Sequence, residues 1–104
     1  MTGPAVSVGR RFVVEMVRRA ALEVPGVAGV QRGGPWWRRA LGGDAVTARV
    51  GDGRVAVRLT LVARSGQPLG PLADAVRTAV AATVERSLGL ELERLSVVVD
   101  GVEA

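Results

Sequence analysis

Apolar residues recur at helical spacing from Val8 to Val24. Turned by about 100° per residue, Phe12, Val13, Met16, Val17, Ala20 and Val24 share one face, with Arg11, Glu15, Arg18 and Arg19 opposite. Arg11–Glu15 and Glu15–Arg19 have the four-residue spacing that supports a solvated helix. Pro25-Gly26 closes it. Val27 to Gln31 is a candidate short strand. Ala45 to Val50 and Arg54 to Arg64 instead alternate, and Asp52-Gly53 between them is a tight-turn signal, which predicts a β-hairpin. Val55, Val57, Leu59 and Leu61 point one way, joined by Val46, Ala48 and Val50; Arg54, Ala56, Arg58, Thr60 and Val62 point the other. Helical spacing returns over Leu69 to Leu88, where Leu69, Leu72, Val76, Ala79, Val80 and Thr83 form a stripe and Gly89 supplies the stop. Leu92 to Val99 is a last strand, with Leu95, Val97 and Val99 on one face and Arg94, Ser96 and Val98 on the other.

The predicted order is α-(β)-β-β-α-β. Two amphipathic helices of this kind pack on one face of a small mixed sheet of three or four strands, giving a two-layer α+β domain. The helix between the hairpin and the last strand is long enough for a crossover, so the last strand is expected to run parallel to an earlier one. With 104 residues, the chain is expected to form one domain over 1–104. Residues 1–7 are expected to be a flexible N-terminus, and 32–43 a Gly/Trp/Arg loop whose middle suits a helical turn.

Composition narrows the chemistry. The chain has no histidine, cysteine, lysine or tyrosine. Most enzyme mechanisms need a group that exchanges protons near neutral pH, or a strong nucleophile. All the basic residues are arginine, which stays protonated. Without cysteine, a disulfide framework and any Cys-based zinc site are excluded, and without histidine the other common soft ligand is missing. No catalytic, metal or cofactor residue is therefore assigned, and a binding or assembly role is expected. The net charge of +4 comes from 14 arginines against 10 acids, a mild attraction for anions rather than the footprint of a dedicated nucleic-acid binder. No run reaches the roughly 18 apolar residues of a membrane span, and Met1 to Ser7 lacks the pattern of a secretory signal, so a cytoplasmic setting is expected.

Two surfaces are candidates for partner binding. The first is Trp36, Trp37, Arg38 and Arg39 on a glycine-flanked loop. Indoles beside guanidinium groups suit a partner groove, a membrane interface or stacking on bases. Folding back to cap the aliphatic core is the structural alternative. The second is the sheet face away from the helices, where Arg49, Arg58 and Arg94 meet Thr60, Val62 and Val98. It suits an acidic partner or a second copy, against the plain alternative of a solvated face. Gly26-Val27-Ala28-Gly29 has the GxxG form of KH-type RNA binders, but it follows a helix and leads into a hydrophobic segment, with no basic residue inside. Glu91 and Glu93, and Asp44 and Asp52, read as solvated surface acids. Ser65 has no base to activate it.

Several segments in order carry a family resemblance: Ala21-Leu22-Glu23-Val24-Pro25-Gly26-Val27, then Val55 to Val62, Gly66, the valine-rich helix, Gly89-Leu90, and Leu95 to Val102. Over about residues 8–102 the chain resembles the alkaline shock protein family, the bacterial cell-envelope stress-response proteins. The resemblance implies a non-enzymatic cytoplasmic protein that self-associates and sits at the inner membrane surface through a membrane-anchored protein partner. Direct membrane contact would run through Trp36-Trp37, and nucleic acid is not the expected partner. The family carries no catalytic site to transfer. One departure is Ser65-Gly66, where the family commonly has Tyr-Gly. The expected function is an assembly or adaptor protein of the envelope-stress type; the alternative is a KH-like RNA-binding module.

Overall fold

A long valine-rich strand organises the molecule. The computed structural model describes residues 9–37 and 43–103. In chain order they form helix α1 (Arg10–Leu22), strand β1 (Val27–Gly29), strand β2 (Val46–Gly51), strand β3 (Arg54–Arg64), helix α2 (Leu69–Ala82) and strand β4 (Glu91–Glu103). Beyond α2 the helix widens into a π-turn over Thr83–Ser87, where Leu88 N–H donates to the Thr83 carbonyl at 3.1 Å. The expected N-terminal flexibility over 1–7 lies outside the described residues.

β2 and β3 form the predicted hairpin. Gly51 stands opposite Arg54, and Asp52 (φ 53°) with Gly53 (φ 72°) makes the two-residue turn. Positive φ at both central residues matches the right-handed twist of the strands, and Asp-Gly accepts it readily. β1 pairs antiparallel with the far end of β3, along the edge that β2 occupies at the near end. β4 runs parallel to β3 along its other edge, from Arg54–Glu91 to Arg64–Glu103. The sheet is thus four-stranded and mixed, with β3 in the middle. β4 continues past the expected end at Val99; a register shift between Val99 and Val102 carries it on to Glu103.

Both helices cover one face. Val13, Val17 and Ala21 from α1, and Leu72, Val76 and Val80 from α2, are buried with Val84 against Val46, Ala48, Val55, Val57, Leu59 and Leu61. Among the described residues the buried set contains no polar or charged side chain. β-branched valine suits both the pleated strands and this aliphatic layer.

Three details differ from the sequence reading. Phe12 lies outside the core, 56% exposed. It precedes Val13 by one step of about 100°, and the buried stripe runs through Val13, Val17 and Ala21 on the side away from it. Glu15 meets Arg18 at 3.9 Å rather than Arg11 or Arg19. Val62, expected on the open face, is only 6% exposed because the chain after β1 folds over it.

This packing sets the cost of truncation. Leu59→Ala is expected to lower unfolding stability by about 2–5 kcal/mol through a cavity in the central strand. Phe12→Ala should change it by no more than about 0.5 kcal/mol. Urea denaturation of the two variants checks the contrast.

Candidate functional site

The segment after β1 leaves the core edge and crosses to the open face of the sheet. Val30 is buried, and its carbonyl accepts a hydrogen bond from Arg18 Nη1 at 3.2 Å, which ties the segment to α1. Gly33 N–H then donates to Asp100 Oδ2 on β4 at 2.9 Å. The approach is so close that a Cβ at position 33 would overlap the Asp100 carbonyl oxygen. Only glycine fits there. Gln31, Gly34, Val62 and Val102 line the small cleft where the segment lies on the sheet.

From this latch the chain turns outward. Gly34 takes φ 91°, Pro35 follows, and Trp36 and Trp37 are helical. Proline is pre-organised for the start of a helical turn. Trp36 is 74% exposed and Trp37 54%. The indoles therefore do not cap the aliphatic core. Arg38 and Arg39 lie outside the described residues, as does most of the expected helical turn.

The open sheet face carries the second candidate. Arg49 on β2 stands opposite Ala56 on β3, which stands opposite Arg94 on β4. Arg58 occupies the next row on this face, between Thr47 and Ser96. With strands about 4.8 Å apart, Arg49 and Arg94 flank Ala56 at roughly 10 Å from each other. All three arginines are exposed. Among the described residues the ion pairs lie elsewhere: Arg54 with Glu91 at 3.3 Å, Arg77 with Asp74 at 3.3 Å, and Arg18 with Glu15.

Towards the Gly33 latch the same face dips into an open depression of about 450 Å³. Arg32 and Arg58 line it with Asp44, Asp100, Thr47 and Thr60. Guanidinium, carboxylate and hydroxyl groups can hydrogen-bond a polar ligand there. Ser65 sits in the turn after β3, where its N–H donates to the Glu103 carbonyl at 2.8 Å. Among the described residues no cluster of three or more carboxylates is placed to hold a metal ion. In Gly26-Val27-Ala28-Gly29 the last three residues are strand β1 itself, and Gly26 and Val27 are buried, whereas a KH loop joins two helices.

The structure thus separates the two candidates. Arg49, Arg58 and Arg94 converge on one face, and Trp36 and Trp37 project from a segment anchored at that face's far end. The anchor itself has no periodic signature in the sequence. Gly33-Gly34 and Asp100-Gly101 are visible in the sequence as breaks, but nothing local links positions so far apart.

The element order and mixed sheet define the chain as a two-layer α+β domain. Solved structures share this arrangement. A substituted MamM CTD in its copper form is 20% identical with a TM-score of 0.65, covering 91% of this chain and 100% of that one. Another MamM CTD in its copper form is 21% identical with a TM-score of 0.65, covering 89% and 86% respectively. A substituted zinc form gives 21% identity and a TM-score of 0.65, covering 90% and 87%. At this identity the likeness is one of fold. No curated protein matches the chain. The chain belongs to the alkaline shock protein 23 family, which has a cell envelope-related function; the family model matches residues 4–104. Among the described residues no helix is long and apolar enough to cross a membrane.

The latch yields a stability prediction. Gly33→Ala should lower stability by about 1–3 kcal/mol, because the new methyl meets backbone that cannot swing aside. Gly43→Ala, with nothing within 4 Å of the added atom, should stay within about 0.5 kcal/mol. Chemical denaturation of both variants measures the difference.

Proposed function

We propose that this protein is a non-enzymatic assembly or adaptor protein of the cell-envelope stress response, working through protein–protein contacts near the inner face of the membrane. The observation that carries this reading is the exposure of Trp36 and Trp37, 74% and 54%, on a segment latched to the sheet. Two large apolar rings held in water gain free energy when a partner covers them, and tryptophan and arginine are the residues that most often anchor protein interfaces. The segment is positioned before the partner arrives, which reduces the ordering cost of binding. The arginine face offers a second, acidic-partner contact through Arg49, Arg58 and Arg94. Membership of a cell envelope-related family supports a place close to the membrane. A membrane-anchored protein partner supplies that place without a span in this chain. The residue inventory, without histidine, cysteine, lysine or tyrosine, supports a role free of catalysis.

The experiment is a pull-down from native cells, resolved by mass spectrometry, with wild type and the Trp36→Ala/Trp37→Ala double variant. The expected result is a membrane-protein partner captured by wild type and lost by the variant, a fall of about 30-fold or more for a contact worth roughly 2 kcal/mol. The variant's unfolding curve should match wild type, because the rings lie outside the core. Equal capture by both proteins would remove the tryptophan surface from the account. Co-sedimentation of wild type with protein-free liposomes would assign the rings to lipid instead.

A further inference from the structure

We propose that the depression beside the Gly33 latch is an oxyanion site whose ligand is a small phosphomonoester with a hydroxyl or amino group next to the phosphate. The site goes beyond the assembly reading. It uses neither tryptophan and shares only Arg58 with the arginine face.

A bare sheet face is flat, and here the segment after β1 gives it a wall. Thr47 stands opposite Arg58, and Val98 stands opposite Thr60 one row further on. These four side chains form the floor of the depression. Arg32, one residue before the latch, lines its end, and Asp44, just ahead of β2, lines its rim. The enclosed volume of about 450 Å³ has room for a small ligand. Arg32 belongs to the segment that lies over Val62. Two rows of β3, roughly 13 Å, separate Arg58 from Val62. An arginine side chain covers about half of that span. The two guanidinium groups can therefore meet over Thr60 from opposite ends.

The charges in the depression call for a ligand. Arg32 is half-buried, yet among the described residues its side chain makes no hydrogen bond or ion pair, and neither does that of Arg58 or Asp44. Arg18, Arg54 and Arg77, by contrast, each find a carboxylate. Asp100 is already engaged, its Oδ2 accepting from Gly33 N–H at 2.9 Å. Two open guanidinium groups and the hydroxyls of Thr47 and Thr60 thus bring many donors to one place. A carboxylate has two oxygens and one charge, and a single guanidinium satisfies it in bidentate fashion. A phosphomonoester has three terminal oxygens and close to two charges, so it engages both arginines and the threonines together. Asp44 selects the rest of the ligand. Its carboxylate repels a bare phosphate but accepts from an O–H or N–H donor placed beside one. Val98 offers the ligand's carbon skeleton an apolar contact.

The probe is glycerol 3-phosphate, titrated into the full chain and followed by NMR of the arginine side chains. Saturable shifts at Arg32 and Arg58 are expected, weakening as salt is added. Inorganic phosphate should bind less tightly, and glycerol should not bind. Arg32→Gln and Arg58→Gln should each weaken binding about tenfold or more, with circular dichroism unchanged. Arg77→Gln, on α2, should bind like wild type. Phosphatidylcholine vesicles carrying lysophosphatidate present the same group on a lipid. Arginine-dependent binding to those vesicles, without binding of the free probe, would assign the site to a lipid headgroup; binding of the free probe alone would assign it to a soluble ligand. No binding of either probe, binding undiminished in both arginine variants, or glycerol 3-phosphate held no better than inorganic phosphate would overturn the proposal. Partner capture is read at Trp36 and Trp37, so the two ideas fail separately.

Discussion

β3 is hydrogen-bonded along both edges and buried along one face, and every other element takes its place from that. Its odd-numbered side chains, Val55 to Leu61, form the floor on which α1 and α2 pack. Its edges hold β2 and β1 on one side and β4 on the other. A strand so engaged cannot shift register by one residue without moving Arg58 into the aliphatic layer and Leu59 out of it. The arrangement therefore fixes which arginines share the opposite face, and it leaves β4 as an outer strand.

The uncovered side of that sheet is where the molecule departs from a simple helix-on-sheet layer. One segment reaches across it, tied down at Val30 by Arg18 and at Gly33 by Asp100. These two hydrogen bonds close off the end of the face and bury Val62 beneath the chain. They also determine where the tryptophans emerge. The aromatic surface depends on a glycine that touches β4, and the same segment buries Val30 and Val62, so loosening it costs stability as well as moving the rings.

Much of this was legible in the chain. The 3.6-residue spacing of α2 and the alternation of β3 stood out because each element buries one face only, and Asp52-Gly53 named its own turn. The parallel course of β4 followed from the helix before it. Phe12 reads as core in the sequence because an aromatic ring beside a valine stripe looks buried even when the stripe's centre lies a full helical step away. Val62 reads as open in the sequence because its cover comes from residues 31–34, distant in sequence, and alternation encodes only the strand's own two faces. The tryptophans were ambiguous for a similar reason: a pair of indoles in a glycine-rich loop fits both a core cap and an exposed anchor. The choice rests on the Gly33–Asp100 contact, which leaves no periodic trace. The arginine face was readable from strand parity alone, and the register supplied only its spacing.

Trp36 and Trp37 are the only tryptophans in the chain, so intrinsic fluorescence reports on this segment and nothing else. The most direct measurement is the emission of the purified protein with and without acrylamide. The account predicts the spectrum of water-exposed indole, quenched nearly as well in the folded protein as in urea. A blue-shifted emission protected from acrylamide would return the rings to the interior and remove the surface through which this protein is held to act.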